Sequence, residues 1–266
     1  MQVDLSNASE RLLVQTYLNH ILNHQSEEEL NFLKHKIIHT YEVVEAAKDL
    51  VSFTKPALSK HDRELVLQAA LLHDIGRVQQ FSKGKYVPDA DHGLMGAALL
   101  KKAMPENKIV IETTKWHNKS PSDKDPAEAT FYLNYVRDAD IIANVRHNTD
   151  HILTVFQNLK NIVKHDELDL YLDDELICAA KEKRSCNYER YKRSSFLQII
   201  LQELGWKYNI LTSAGKRLIK NEQIFVRLRD AVIHKLVDIL DGTVQEKREM
   251  KKFILDLYPN EVLNED

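Results

Sequence analysis

The chain has 266 residues, with 37 basic and 40 acidic side chains for a net charge of −3, twelve histidines and two cysteines. That length sustains a hydrophobic core without disulfide staples, and an apolar fraction of 43% beside 29% charged residues excludes disorder or low complexity as the main state. The near-neutral charge argues against duplex DNA as the main partner, and no apolar run approaches the ~18 residues of a membrane span.

Met1 to Asn7 lacks the basic and apolar regions of a signal peptide. Cys178 and Cys186 match neither a C-x-x-C zinc pair nor a redox pair, and two such cysteines fit a reducing cytoplasm. Seven glycines and six prolines are few against averages of ~7% and ~5%, so long helices are expected.

Ser26-Glu27-Glu28-Glu29 reads as a capping box. It opens a helix over 27–53 with Leu30, Leu33, Ile37, Val44 and Ala47 at helical spacing. Lys55-Pro56 ends it, because the residue before proline avoids helical angles. A second helix runs over 60–74 and stops near Gly76. Residues 77–91 are polar and read as a loop. Asp89 or Asp91 caps a helix over 92–104, Pro105 begins another over 105–118, and Ser120-Pro121-Ser122-Asp123 is a loop. A helix over 127–148 carries Phe131, Val136, Ile141 and Val145, and further amphipathic helices follow to the end. There is no internal repeat, no flexible linker and no strand of clean alternation. The expected fold is all-α, one unit with a core over 26–149 and accessory helices over 1–25 and 150–266 packed on it.

Leu71-Leu72-His73-Asp74-Ile75-Gly76-Arg77 is the most informative segment. A carboxylate beside apolar neighbours is costly to bury unless paired or metal-bound. Adjacent helical side chains diverge by ~100°, but where a helix ends at a glycine they can converge on one ion. His39 shares a helix face with Val43, His92 begins a helix, His117 ends one after Trp116, and Asp140 lies in Arg137-Asp138-Ala139-Asp140. Five helices therefore each bring one ligand, or an adjacent pair, toward an inner surface. Asp138 and Asp140 lie ~200° apart on a helix, so one of them points inward with ease. His35 lies four before His39 in zinc-pair spacing, but Lys36 stands where H-E-x-x-H has its glutamate. His35 is read as a polar flank or a support to the ligands.

His39, His73-Asp74 and Asp140 resemble the H…HD…D signature of the HD-domain metal-dependent phosphohydrolases, and His73-Asp74-Ile75-Gly76 resembles its HDIG form. His92-Gly93-x-x-Gly96 and His117 resemble the extra histidines of the binuclear branch, which includes the HD-GYP phosphodiesterases. The GYP motif is absent, since Asn118-Lys119 follows His117. The chain is similar over residues 30–146 to bacterial HDIG hydrolases that carry a comparable His-Asn-Lys and Arg-Asp-Ala-Asp. The resemblance implies an HD-domain helical bundle with additional C-terminal helices. It implies that His39, His73, Asp74 and Asp140 hold one metal, and that Asp74 bridges to a second held by His92 and His117. It also favours Asp140 over Asp138. Mixed imidazole and carboxylate ligands suit one or two ions of Mn, Fe, Co, Ni or Zn. Such a pair clamps the attacking and leaving oxygens of a phosphoryl transfer and yields a hydroxide near neutral pH.

Arg77 takes the place where the family often has lysine, and its fork suits a phosphate. Lys83, Lys85 and Lys119 are further candidates to contact substrate. The basic stretch over 181–193, with two tyrosines between its charges, is compatible with single-stranded nucleic acid but reads first as a solvated helix face, and the C-terminal helices as shaping a pocket or mediating a homodimer. The expected activity is hydrolysis of a small phosphorylated substrate, a nucleotide, with His73, Asp74 and Arg77 as catalytic residues. A di-iron HD-type oxygenase and a non-catalytic metal-stabilised binding module are the alternatives.

Overall fold

The structure is a computed structural model. It describes residues 7–23, 26–82, 85–87, 90–122, 124–160, 170, 172–186 and 196–264. The fold is all-α, with one two-stranded ribbon of two residues a side among the described residues. The chain divides into two compact units, one of residues 1–143 with 211–215, the other of residues 144–210 with 216–266. Among the described residues no helix is long and apolar enough to cross a membrane.

The first unit begins with α1 (Ala8–Leu22), capped by Asn7, whose side chain accepts from the Ser9 and Glu10 amides. Helix α2 (Glu27–Phe53) starts where the sequence predicts, with the Ser26 side chain accepting from Glu29 N at 3.1 Å. Three glutamates in its first turn complement the positive helix end. Helix α3 (Lys60–Leu72) is capped by Ser59, and α4 (His92–Ala103) by Asp91 rather than Asp89. Helix α5 (Lys108–Trp116) begins three residues later than predicted. The Asn107 amide closes on the Met104 carbonyl at 3.0 Å, so Pro105 occupies the second position of a β-turn, which its fixed φ also suits. Between α3 and α4 the predicted loop is more ordered than its polarity implied. Ile75–Gln80 form a turn of 3₁₀-helix, followed by an antiparallel ribbon pairing Phe81 with Tyr86 and Ser82 with Lys85.

Helix α6 (Thr130–Lys160) runs well past its predicted end, because no glycine or proline stops it. The Thr149 hydroxyl donates to the Val145 carbonyl at 2.6 Å, a contact that bends helices. At His151 the backbone leaves helical angles at φ −115° and ψ 22°. In the first unit Leu33, Val43, Leu50, Val66, Leu72, Ile75, Leu133 and Ile142 are all fully buried, each large side chain stabilising by ~1.5–3 kcal/mol. Helix α2 packs on α3, α3 on α5, and α4 on both α5 and the 3₁₀ turn.

Gly76 permits the last of these contacts. A Cβ there would lie 2.0 Å from the His92 carbonyl and 2.5 Å from the Gly96 amide, both backbone atoms. Only a bare Cα lets the start of α4 approach the end of α3 this closely.

The second unit contains the end of α6, α7 (Asp174–Lys181), α8 (Phe196–Leu204), most of α9 (Ser213–Glu222), α10 (Ile224–Ala231), α11 (Val244–Leu257) and α12 (Asn260–Asn264). Helix α10 packs on α8 and α12, and α11 on α7, around Leu201, Leu204, Phe225, Leu228 and Ile254. Thr243 and Glu246 form a reciprocal capping box on α11. Of the basic stretch over 181–193, residues 187–193 lie outside the described residues; Arg184 pairs with Glu175 and Glu182.

Candidate metal centre

The ends of α3 and α5 are built alike. His73 caps α3 and His117 caps α5, and each turns its Nδ1 back onto the carbonyl three residues earlier, Ala70 and Thr114, at 2.7 Å. A carbonyl only accepts, so Nδ1 carries the proton in both rings and Nε2 presents a lone pair. This contact also satisfies one of the carbonyls that every helix leaves open at its C-terminus. Thr114 of α5 further donates to the Leu72 carbonyl at 3.5 Å, tying the two helix ends together.

The lone pairs converge on Asp74, which is 2% exposed. Its Oδ1 lies 3.3 Å from His92 Nε2 and 3.4 Å from His117 Nε2, and its Oδ2 lies 3.8 Å from His73 Nε2. His39 Nε2 lies 3.0 Å from Asp140 Oδ1, and the His39 and His73 rings are 5.8 Å apart. Two buried triples result, His39-His73-Asp74 and Asp74-His92-His117, each with its ligand atoms within 4.8 Å of one another. Asp74 belongs to both.

The donor chemistry fits a cation. His73 Nε2 is buried and has no hydrogen-bond partner in the protein, a costly state for a polar atom unless something else satisfies it. His92 Nε2 and His117 Nε2 approach within 3.2 Å; a proton on one or a cation between them relieves the repulsion of facing lone pairs. Burial pushes the His73 imidazole down to about 4, against the pull of Asp74, so the ring is neutral and ready to donate. Burial likewise lowers His92, again opposed by Asp74. Asp74 moves the other way. Burial opposes its charge, but the Lys36 ammonium and the Arg77 guanidinium outweigh burial and hold it well below the usual carboxylate range. Asp140 is also ionised, its burial overcome by the His39 hydrogen bond.

The structure therefore brings His39, His73, Asp74, His92, His117 and Asp140 into one cluster. It also separates Asp138 from Asp140. Asp138, fully buried, accepts from the Leu211 amide, the Thr212 amide and the Thr212 hydroxyl at 2.7–2.8 Å. The Thr212 hydroxyl in turn accepts from Gly215 N, capping the start of α9. Asp138 thus ties in a returning segment more than seventy residues away, while Asp140 faces His39.

Arg77 lies beside the cluster, its Nε 3.1 Å from Asp74 Oδ1 and a terminal nitrogen 2.7 Å from Gln80 Oε1. Lys119 pairs with Asp91 at 3.3 Å and sits over the Trp116 ring. Lys83 and the Lys85 side chain lie outside the described residues. His35 is exposed.

Three supports escaped the sequence reading. Lys36 Nζ lies 3.2 Å from Asp74 Oδ2, and its position three residues before His39 was the available signal. Tyr17 of α1 is fully buried and donates to the Asp74 carbonyl at 3.3 Å, a contact no local pattern announces. Arg137 grips both Asp125 oxygens, at 2.6 and 3.2 Å, and the Trp116 carbonyl at 3.1 Å, which fixes the turn of chain beside His117.

Comparison with known proteins agrees with this geometry. Residues 37–145 match the family model described as HD domain. Neither a search of curated proteins nor one of solved structures finds a match. The segment that builds the cluster, residues 37–145, belongs to the HD-domain family.

Proposed function

We propose that this chain is a metal-dependent phosphohydrolase or phosphodiesterase that hydrolyses a phosphate ester, with nucleotides as the substrate class. The observation that carries this reading is the shared carboxylate: Asp74 offers one oxygen to His92 and His117 and the other toward His73. Neutral imidazoles mixed with carboxylates suit Mn, Fe, Co, Ni or Zn. His39, His73, Asp74 and Asp140 would hold one ion, and Asp74, His92 and His117 a second. Bound there, the ions would supply an activated water and charge for the attacking and leaving oxygens of a displacement at phosphorus.

The rest of the chemistry belongs to the chain. The Ala70 and Thr114 carbonyls set the tautomers of His73 and His117, as second partners of metal-binding histidines generally do. Arg77 presents a planar fork at the cluster, suited to two phosphate oxygens. Lys83, Lys85 and Lys119 are proposed as further contacts to the phosphate. We assign residues 26–149 as the catalytic core, acting on a small phosphorylated molecule in a reducing cytoplasm.

The deciding experiment is anaerobic. Chelator-stripped protein is reloaded with each metal and incubated with mono-, di- and cyclic nucleotides. Release of phosphate or nucleoside without O₂ supports hydrolysis. Full metal loading with no release across the panel refutes it, and substrate-dependent O₂ uptake by a two-iron form replaces it with oxygenase chemistry.

A further inference from the structure

Each oxygen of Asp74 carries its own basic partner. Arg77 Nε lies 3.1 Å from Oδ1, the oxygen beside His92 and His117. Lys36 Nζ lies 3.2 Å from Oδ2, the oxygen toward His73. Lys36 leaves the same face of α2 as His39, one helical turn earlier. Its side chain is 15% exposed, against 2% for Asp74.

A divalent cation drawn to Oδ2 by His39 and His73 competes with this ammonium for the same lone pairs, and the two charges repel. An ammonium displaced from Asp74 stays tethered to α2 beside the cluster. There it has lost its anion and is placed to meet another.

We propose that Lys36 is a metal-coupled anion anchor: cation binding at Asp74 transfers its ammonium from the carboxylate to a phosphate oxygen of the substrate. The proposal rests on the reading of the cluster as a metal centre acting on phosphate esters. It makes metal and anion binding mutually reinforcing, since linkage between two sites is reciprocal. A lysine that merely props Asp74 in place has the opposite signature. Removing a prop disorders a ligand and weakens the metal, whereas removing a competitor tightens it.

The test uses the full chain, Mn²⁺ and inorganic phosphate, read by titration calorimetry. In the wild type, phosphate is expected to bind about tenfold tighter when Mn²⁺ is saturating. Lys36→Met is expected to bind Mn²⁺ about fivefold tighter and, once loaded, phosphate about tenfold more weakly. Lys36→Arg should keep the phosphate affinity. A second measurement needs no variant. Labelling of Lys36 by an amine-reactive reagent, followed by mass spectrometry, should rise with Mn²⁺ and fall again when phosphate is added. Unchanged or weaker Mn²⁺ affinity in Lys36→Met, unchanged phosphate affinity, or labelling indifferent to Mn²⁺ overturns the anchor and leaves the metal centre standing. A wild type that takes up no Mn²⁺ or other divalent transition metal overturns both.

Discussion

Asp138→Ala and Asp140→Ala are expected to fail in opposite ways, although the two residues are neighbours on one helix. Asp138 accepts three hydrogen bonds at 2.7–2.8 Å from Leu211 and Thr212 while fully buried. Hydrogen bonds to a charged group contribute ~1.5–3 kcal/mol each, but they are not additive, and burying the carboxylate offsets part of the gain. Truncation also leaves the Leu211 and Thr212 amides without their acceptor. The net loss is on the order of 3–5 kcal/mol, which for a chain of this size lowers the melting temperature by roughly 10 °C. Metal content per folded molecule should stay at the wild-type value. Asp140→Ala removes the carboxylate 3.0 Å from His39 Nε2; it should lose metal with little change in the melting temperature of the chelated protein. Thermal unfolding in excess chelator, paired with elemental analysis of reloaded protein, separates the two. If Asp138→Ala lost metal and kept its stability, the assignment of the pair would be reversed and the reasoning wrong.

Three further outcomes are expected. Asp74→Ala should abolish binding of both ions, because its two oxygens address both histidine groups, while His92→Ala should lose one; unchanged stoichiometry in His92→Ala would remove the second site. Gly76→Ala pushes a methyl into the His92 carbonyl and the Gly96 amide, so α4 must shift at a cost of ~1–3 kcal/mol; a variant with wild-type melting temperature and two metals would show that this contact is not needed. Glu203 of α8 is buried, with Asn148 donating to both its oxygens at 2.7 and 2.9 Å, and burial pushes it up to about 8 from an ordinary 4.5. Between those values the folded chain keeps a proton that the unfolded chain has released, so stability falls as pH rises through that window. At pH 7 the deficit is about 3 kcal/mol. Glu203→Gln should remove it and flatten the profile of urea midpoints between pH 5 and pH 8, whereas parallel profiles for variant and wild type would contradict it.

Much of the helical frame was readable from local rules. Ser26 with Glu29 marked the start of α2, and the proline after Lys55 marked its end, because caps and proline act within a few residues of themselves. Boundaries failed where the decisive contact was less obvious. Pro105 looked like a helix start, but the Met104–Asn107 turn claimed it. No glycine or proline in the sequence marks the end of α6. The polar stretch after Gly76 reads as loop, yet the 3₁₀ turn there lies against α4.

The cluster was also legible, because each of its members sits at or near a helix end or on an apolar face and the order His39, His73-Asp74, His92, His117, Asp140 is a linear pattern. What the sequence by itself determined is therefore which histidines and aspartates form the ordered pattern and which segments are helical, since both depend on residue type and short-range spacing. Only the tertiary structure decided how those residues are used. It separated Asp140, facing His39, from Asp138, held by a segment more than seventy residues away. It revealed Lys36 and Arg77 on opposite oxygens of Asp74, and Tyr17 beneath its backbone. The physical reason is that charge pairing and hydrogen bonding depend on ångström distances between helices, and residue order along the chain does not set those distances until the helices have packed.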